Sequence, residues 1–250
     1  MRSALHAEWT KVRTVAGSWR LLAGLIVATV APGAAATSVV PCGPAGCAGD
    51  LTKLSLVGVM LGQAAVAVLA VLVISGEYSS GLIRTTLTAT PRRTTVLVAK
   101  AVTLAGVVAG AGTVAVPGSL LAGRLVLAHR GHPAPVDGPA LRATVGSMLY
   151  LILIALLSLG VAILVRDSAA GIGVVLGLLY LLPILAQVIG DPLWQRRIAQ
   201  LAPMSAGLAV QATTDPGRLP IGPWAGLGVT AGWAAAALLA GGLLLRTRDA

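Results

Sequence analysis

The sequence predicts an all-α polytopic membrane protein with six transmembrane helices and an amphipathic interfacial helix before the first. Three observations lead to this fold class. Charged residues make up 10% of the 250 residues, against roughly 25% in soluble domains. Hydrophobic residues make up 56%, and the mean hydropathy is +0.90. Six separate stretches each supply the roughly 20 apolar residues that a helix needs to cross a bilayer. Soluble and disordered classes are excluded, because both need more charge.

Residues 1–18 predict a helix that lies in the cytoplasmic membrane interface. Apolar side chains recur there at steps of four and three, which places them on one helical face. Lys11 and Arg13 add positive charge elsewhere, and Trp rings favour the depth of the lipid headgroups. Trp9, Lys11, Arg13 and Trp19 are therefore candidate interface anchors. The alternative is a basic tail that is only partly ordered. The apolar face comprises Leu5, Trp9, Val12, Ala16 and Trp19.

The spans follow from the apolar stretches. A cleaved signal peptide is the alternative for the first span, because Ala34-Ala35-Ala36 resembles a cleavage site. Against cleavage, about 20 residues that include Glu8 and Trp9 precede the apolar run, and a secretory leader usually begins more simply. The single transmembrane domain therefore covers 1–250, with spans at 19–40, 54–75, 101–122, 144–165, 168–189 and 222–245.

Five Gly-x-x-x-Gly pairs occur in the chain, which is close to what 31 glycines among 250 residues give by chance. The motif can bring membrane helices together, but here it does not identify which faces pack. The pairs are Gly58/Gly62, Gly106/Gly110, Gly173/Gly177, Gly222/Gly226 and Gly228/Gly232.

Positive charge orients the chain. With the N-terminus inside, 11 of the 18 Lys and Arg residues face the cytoplasm. The positive-inside rule then predicts a multi-pass membrane protein with both termini cytoplasmic. The lack of Phe and the abundance of Ala, Gly, Val and Leu resemble the composition of a GC-rich bacterium, so the expected location is the bacterial plasma membrane. The net charge of +10 accordingly indicates attachment to the lipid bilayer, and no nucleic-acid partner is expected.

Two outer segments carry further patterns. Cys42 and Cys47 lie in the first outer loop, where either a disulfide or two free thiols would be compatible with an oxidising compartment. Residues 190–221 form the longest outer segment. Asp191 followed by Pro192 is typical of a helix start, so one or two short helices are expected there, dipping back toward the membrane.

The chain lacks the groups that an enzyme or an ion pump needs. Its eight acidic residues all fall at span edges or in loops, whereas ion-coupled transporters keep a carboxylate inside the bundle. A P-loop requires Lys followed by Ser or Thr, and none of the three lysines is so followed. His129 and His132 read as solvated loop residues, with a metal site as the alternative. No catalytic, cofactor-binding or metal-binding residue is assigned.

The most informative stretch is the loop at 77–95 between the second and third spans. Gly81 can end the emerging helix, and 82–89 can form a short helix with Leu82, Ile83 and Leu87 on its apolar side. Thr90 and Pro91 suit the start of the next helix. Arg92, Arg93 and Lys100 would then anchor that helix at the anionic inner leaflet. The alternative is an ordinary positive-inside loop.

The residues Glu77, Tyr78, Gly81, Ile83 and Arg84, followed by Pro91, Arg92 and Arg93, carry a family resemblance. This stretch resembles the first cytoplasmic loop of ABC-2 type transporter permeases, particularly small actinobacterial ones. The sequence at 8–14 is also similar to the start of that family. Leu82 differs, because Ser or Thr is more usual there.

The resemblance implies a function. The chain would be the permease subunit of an ATP-binding cassette exporter and would pair with a second, identical or different, permease. Two copies of a separate P-loop ATPase would bind the ATP and Mg, and this chain would bind no cofactor. The alternative is a non-transporting membrane anchor, or an immunity or sensor component, that binds a cytoplasmic partner at the same loop. The implied ATPase-coupling residues are Glu77, Tyr78, Gly81, Leu82, Ile83, Arg84 and Leu87.

Overall fold

The computed structural model describes residues 2–14, 16–43, 46–47, 49–79, 81, 93–132 and 137–247. Within these residues the chain is almost entirely helical, and six helices are long and apolar enough to cross a membrane. The predicted class, an all-α polytopic membrane protein, is confirmed. The helices are α1 (Arg2–Thr14), α2 (Ala16–Val39), α3 (Leu51–Ser55), α4 (Val59–Ser79), α5 (Arg93–His129), α6 (Gly138–Val165), α7 (Ser168–Leu176), α8 (Leu182–Val188), α9 (Pro192–Leu201), α10 (Pro203–Leu208) and α11 (Pro223–Thr247).

Short irregular elements join the helices. A two-residue antiparallel pair, β1 (Cys42–Gly43) with β2 (Gly46–Cys47), turns the chain after the first span. A π-helical turn at Gly177–Leu181 joins α7 to α8, so that together they form the fifth span. Pro183 follows this turn and lacks the backbone N–H that a regular helix would use, so the regular hydrogen-bond ladder is interrupted here.

The third span is longer than the sequence predicts. Its apolar helix covers Thr94–His129, which is 36 residues, whereas the hydropathy pattern predicted 101–122. At about 1.5 Å per residue this helix reaches about 54 Å, beyond the roughly 30 Å of a bilayer core. The helix therefore continues past the membrane, and the predicted apolar stretch at 101–122 covers only its middle.

The central helix of the bundle is α6, which packs against α4, α5, α7 and α11, while α2 packs on α4 and α5. Glycine residues, which have no side chain, permit two of the closest contacts between segments of the bundle. A Cβ placed on Gly58 would lie 1.9 Å from the carbonyl oxygen of Thr29, and one on Gly226 would lie 1.9 Å from that of Ala206. Only glycine lets the turn before α4 approach α2, and α11 approach α10, so closely.

The segment between the fifth and sixth spans folds back onto the bundle. Asp191 caps α9 by accepting a hydrogen bond from the Leu193 backbone N–H, at the helix start that the sequence predicts. The following α10 is largely buried, with Met204 and Ala206 among its buried side chains, and it packs against α11.

Candidate functional site

Four charged side chains meet where three helices come together at one end of the bundle. We call Glu8, Lys11, Glu77 and Lys100 the ion cluster. Lys100 Nζ lies 2.6 Å from Glu77 Oε1 and 2.9 Å from Glu8 Oε2. Lys11 Nζ lies 2.6 Å from Glu77 Oε1 and 3.1 Å from Glu8 Oε1. Each lysine therefore bridges the same two carboxylates.

The three helices each contribute to this cluster from a defined position. Glu8 and Lys11 are one turn apart on α1 and so share a face. Glu77 is in the last turn of α4, and Lys100 lies near the start of α5. The cluster thus ties the N-terminal helix to both spans that flank the loop at 77–95.

The cluster is mostly shielded from solvent. Lys100 is 1% exposed, Glu8 5% and Glu77 6%. Burying single charges in this way is costly, and pairing with hydrogen bonds offsets most of the cost. With two carboxylates and two ammonium groups, the four side chains are neutral as a set.

Lys11 is the accessible member of the cluster. Partial burial lowers the pKa of its ammonium, but hydrogen bonds to Glu77 and Glu8, and their negative charges, more than offset this and raise the pKa above 10.5. Lys11 therefore stays charged throughout the physiological range, and the link from α1 to α4 does not switch with pH there.

One prediction about these charges was wrong. Lys100 was expected to anchor α5 at anionic lipid headgroups, but it is buried against carboxylates because α1 covers this part of α5. On α1, Trp9 is 48% exposed, which suits a side chain at a lipid surface, while Glu8 is buried. The polar face turns toward the bundle because its charges find partners there.

The remaining predicted coupling residues lie next to the cluster or beyond the described residues. The Arg166 guanidinium stacks 5.4 Å from the ring centroid of Tyr78. Gly81 has a φ of +72°, a backbone conformation that suits glycine, and it follows the end of α4. Leu82, Ile83, Arg84 and Leu87 lie outside the described residues.

Some of the predicted interface anchors are also described by the structure, and others lie outside the described residues. Trp19 is 58% exposed, as befits a side chain at a lipid surface, and Lys11 belongs to the ion cluster. Arg92, and the side chains of Arg13 and Arg93, lie outside what the structure describes.

The bundle contains buried polar side chains that the sequence analysis did not predict. The Tyr150 hydroxyl donates to Gln63 Oε1, and Gln63 Nε2 lies 3.1 Å from Met204 Sδ. Nearby, Gln211 Nε2 donates to Ser147 Oγ at 3.0 Å. Gln63 within the second apolar stretch was the available signal. These groups are neutral, so they offer hydrogen bonds in the bundle without a carboxylate.

At the opposite end of the bundle, a disulfide and two arginine side chains hold neighbouring segments together. The sulfur atoms of Cys42 and Cys47 are joined in a disulfide, and His132 lies near them. Arg130 Nη1 donates to the carbonyl oxygen of Val40 at 2.9 Å, and Arg142 Nη2 to that of Ala212 at 2.6 Å. These two arginines therefore bind backbone carbonyl groups at the ends of neighbouring segments.

Asp50 joins the loop between the first two spans to the segment after α10. Its carboxylate accepts hydrogen bonds from the backbone N–H groups of Lys53, Thr213 and Thr214 and from the Thr213 hydroxyl. Burial raises the pKa of Asp50, but these hydrogen bonds outweigh it and hold the pKa below 3.8. The ionised carboxylate is thus part of the folded arrangement.

No protein-family model and no curated protein matches this chain.

Proposed function

We propose that this chain is the permease subunit of an ATP-binding cassette exporter of the ABC-2 type, driven by a separate P-loop ATPase. The observation that carries the proposal is the ion pair between Glu77 and Lys100. These residues flank the loop that resembles a coupling helix, so a force on the loop reaches two spans and, through Glu8, the N-terminal helix.

The ion cluster suits a transmission role because it makes three helices move together. A flexible connection would absorb the displacement of a docked partner within the loop. A buried cluster of ion pairs instead passes the displacement to the packed helices, which exchange between discrete arrangements. ATP-driven closure of the ATPase pair would tilt α4 and α5 in this way.

The absence of a P-loop sequence supports a division of labour. Two ATPase subunits would bind ATP and Mg, and a second permease, identical or different, would complete the pathway. The buried pair of Gln63 and Tyr150 weakens the non-transporting alternative, because a mere anchor or sensor needs no polar groups within its spans.

The proposed location is the bacterial plasma membrane, with both termini in the cytoplasm. Two independent features support this orientation. The excess of Lys and Arg lies on the side of the termini. The disulfide of Cys42 and Cys47 then lies outside, where disulfides persist.

The experiment purifies the chain together with the P-loop ATPase that we expect to accompany it and reconstitutes the two in vesicles. We expect the chain to stimulate ATP hydrolysis, and the double variant Ile83→Ala, Arg84→Ala to abolish the stimulation. The control is Leu193→Ala, Arg196→Ala, which also removes an aliphatic and a guanidinium group, but from exposed positions on α9. Equal stimulation by both double variants would refute the coupling assignment.

A further inference from the structure

A cavity of about 310 Å³ opens between α1, the start of α2 and the end of α4. Along α4 its wall is apolar, formed by Leu69, Leu72 and Val73, and Leu72 is exposed. At one end the cavity meets the ion cluster through Lys11 and Glu77. The cavity is therefore amphipathic, with a length of hydrocarbon wall that leads to a charged end.

One buried acceptor at the charged end lacks a donor. Glu77 Oε1 accepts from both lysines of the cluster. Glu77 Oε2 is buried and has no hydrogen-bond partner among the described residues. A buried carboxylate oxygen without a donor is destabilising, so this end of the cavity is suited to a ligand that supplies an N–H group.

The net charge of the ion cluster further limits the class of ligand that can bind in this cavity. Because the four residues of the ion cluster are neutral as a set, a lone cation would leave a buried net charge. A zwitterion avoids this: its ammonium can reach Glu77, and its anionic group can reach the exposed side of Lys11. The apolar wall requires that the same molecule carry a hydrocarbon chain.

We propose that this cavity binds a phospholipid with a primary-amine headgroup, of the phosphatidylethanolamine class. The lipid ammonium donates to Glu77 Oε2, the phosphate lies against Lys11, and one acyl chain follows Leu69, Leu72 and Val73. A choline headgroup has no N–H to donate, and a glycerol headgroup has no positive charge. This lipid site rests on the cavity and the ion cluster, and it does not depend on an ATPase partner.

The test measures lipid binding to the full-length purified chain by native mass spectrometry. The probes are dioctanoyl forms of phosphatidylethanolamine, phosphatidylcholine and phosphatidylglycerol. We expect the ethanolamine lipid to bind about tenfold more tightly than either of the others, as a charge-assisted hydrogen bond to a buried carboxylate allows. Equal binding of the three lipids, or tighter binding of the glycerol lipid, would overturn the proposal.

Two variants assign the binding to this cavity. Gly76 lines it, and a Cβ on Gly76 meets no atom within 4 Å, so Gly76→Leu fills the cavity while the ion cluster stays intact. We expect this variant to lose ethanolamine-lipid binding about tenfold. Gly106→Leu is the control, because Gly106 is also open but lies outside the cavity. Glu77→Gln should remove the headgroup preference. Unchanged binding in Gly76→Leu would contradict the site.

Discussion

Lys100 and Glu77 form a buried ion pair in which Nζ of the lysine lies 2.6 Å from Oε1 of the carboxylate. The pair closes the loop between the second and third spans at its base. Because Glu8 joins the same lysine at 2.9 Å, the N-terminal helix belongs to this unit as well. Three segments that look separate in the sequence are thus held as one.

Replacing Lys100 by Met should destabilise the protein, because it leaves two buried carboxylates with only the half-exposed Lys11. We expect a loss of about 3 kcal/mol or more in the free energy of unfolding, measured by unfolding in mixed micelles. Lys53→Met is the matched control at an exposed position and should change stability by less than about 0.5 kcal/mol. Adding Glu77→Gln to Lys100→Met should recover part of the loss. A loss no larger than in the Lys53 variant would contradict the role of the pair.

Replacing Gly58 by Ala should separate α4 from α2, because the new Cβ would lie 1.9 Å from the Thr29 carbonyl oxygen. We expect a cost of about 1–3 kcal/mol, as for overpacked cores, measured in the same unfolding assay. Gly106→Ala meets no atom within 4 Å and should be neutral or slightly stabilising, since alanine favours helix. Equal effects of the two substitutions would show that α4 does not pack as described.

The sequence alone could not separate these glycines. Gly58 and Gly62 both meet α2, whereas Gly106 and Gly110 of an identical motif face open space. The spacing of the motif is the same in both pairs, and only the position of the neighbouring helix distinguishes them. The number of Gly-x-x-x-Gly pairs is close to chance, so it gave no sign that the pair Gly58/Gly62 packs closely.

Replacing Asp50 by Asn should lower the melting temperature at pH 7, because the hydrogen bonds from Lys53, Thr213 and Thr214 then reach a neutral group. The folded-state pKa of Asp50 is below 3.8, so the ionised carboxylate stabilises the fold above that pH. This contribution is lost as the pH falls through the folded-state pKa. The gap between wild type and variant should therefore narrow as the pH falls below 3.8. Asp215→Asn, at an exposed position, is the control and should show no pH-dependent gap.

The orientation can be tested with single cysteines in a Cys42→Ser, Cys47→Ser background. Asp215→Cys and Thr14→Cys both lie at exposed positions. A membrane-impermeant maleimide should label position 215 in intact cells, and position 14 only after permeabilisation, because the termini are expected inside. The reverse labelling pattern would invert the orientation.

Composition and hydropathy were sufficient to predict the class and the six spans, because each span must satisfy its own backbone and present an apolar surface to lipid. The ion cluster was not predictable in the same way. Glu8 and Lys100 are 92 positions apart, and each is typical of an interfacial residue when read locally. Their pairing depends on α1 lying across α5, which hydropathy does not determine.

The most direct test of the central claim is photo-crosslinking from the loop between α4 and α5. Ile83 is replaced by p-benzoylphenylalanine, with Leu193 replaced in the same way as the control on α9. After illumination in vesicles that contain the ATPase, mass spectrometry identifies the adducts. An exporter permease should give an adduct with the P-loop ATPase from position 83 and none from position 193. No ATPase adduct from position 83, or one from position 193, would contradict the account.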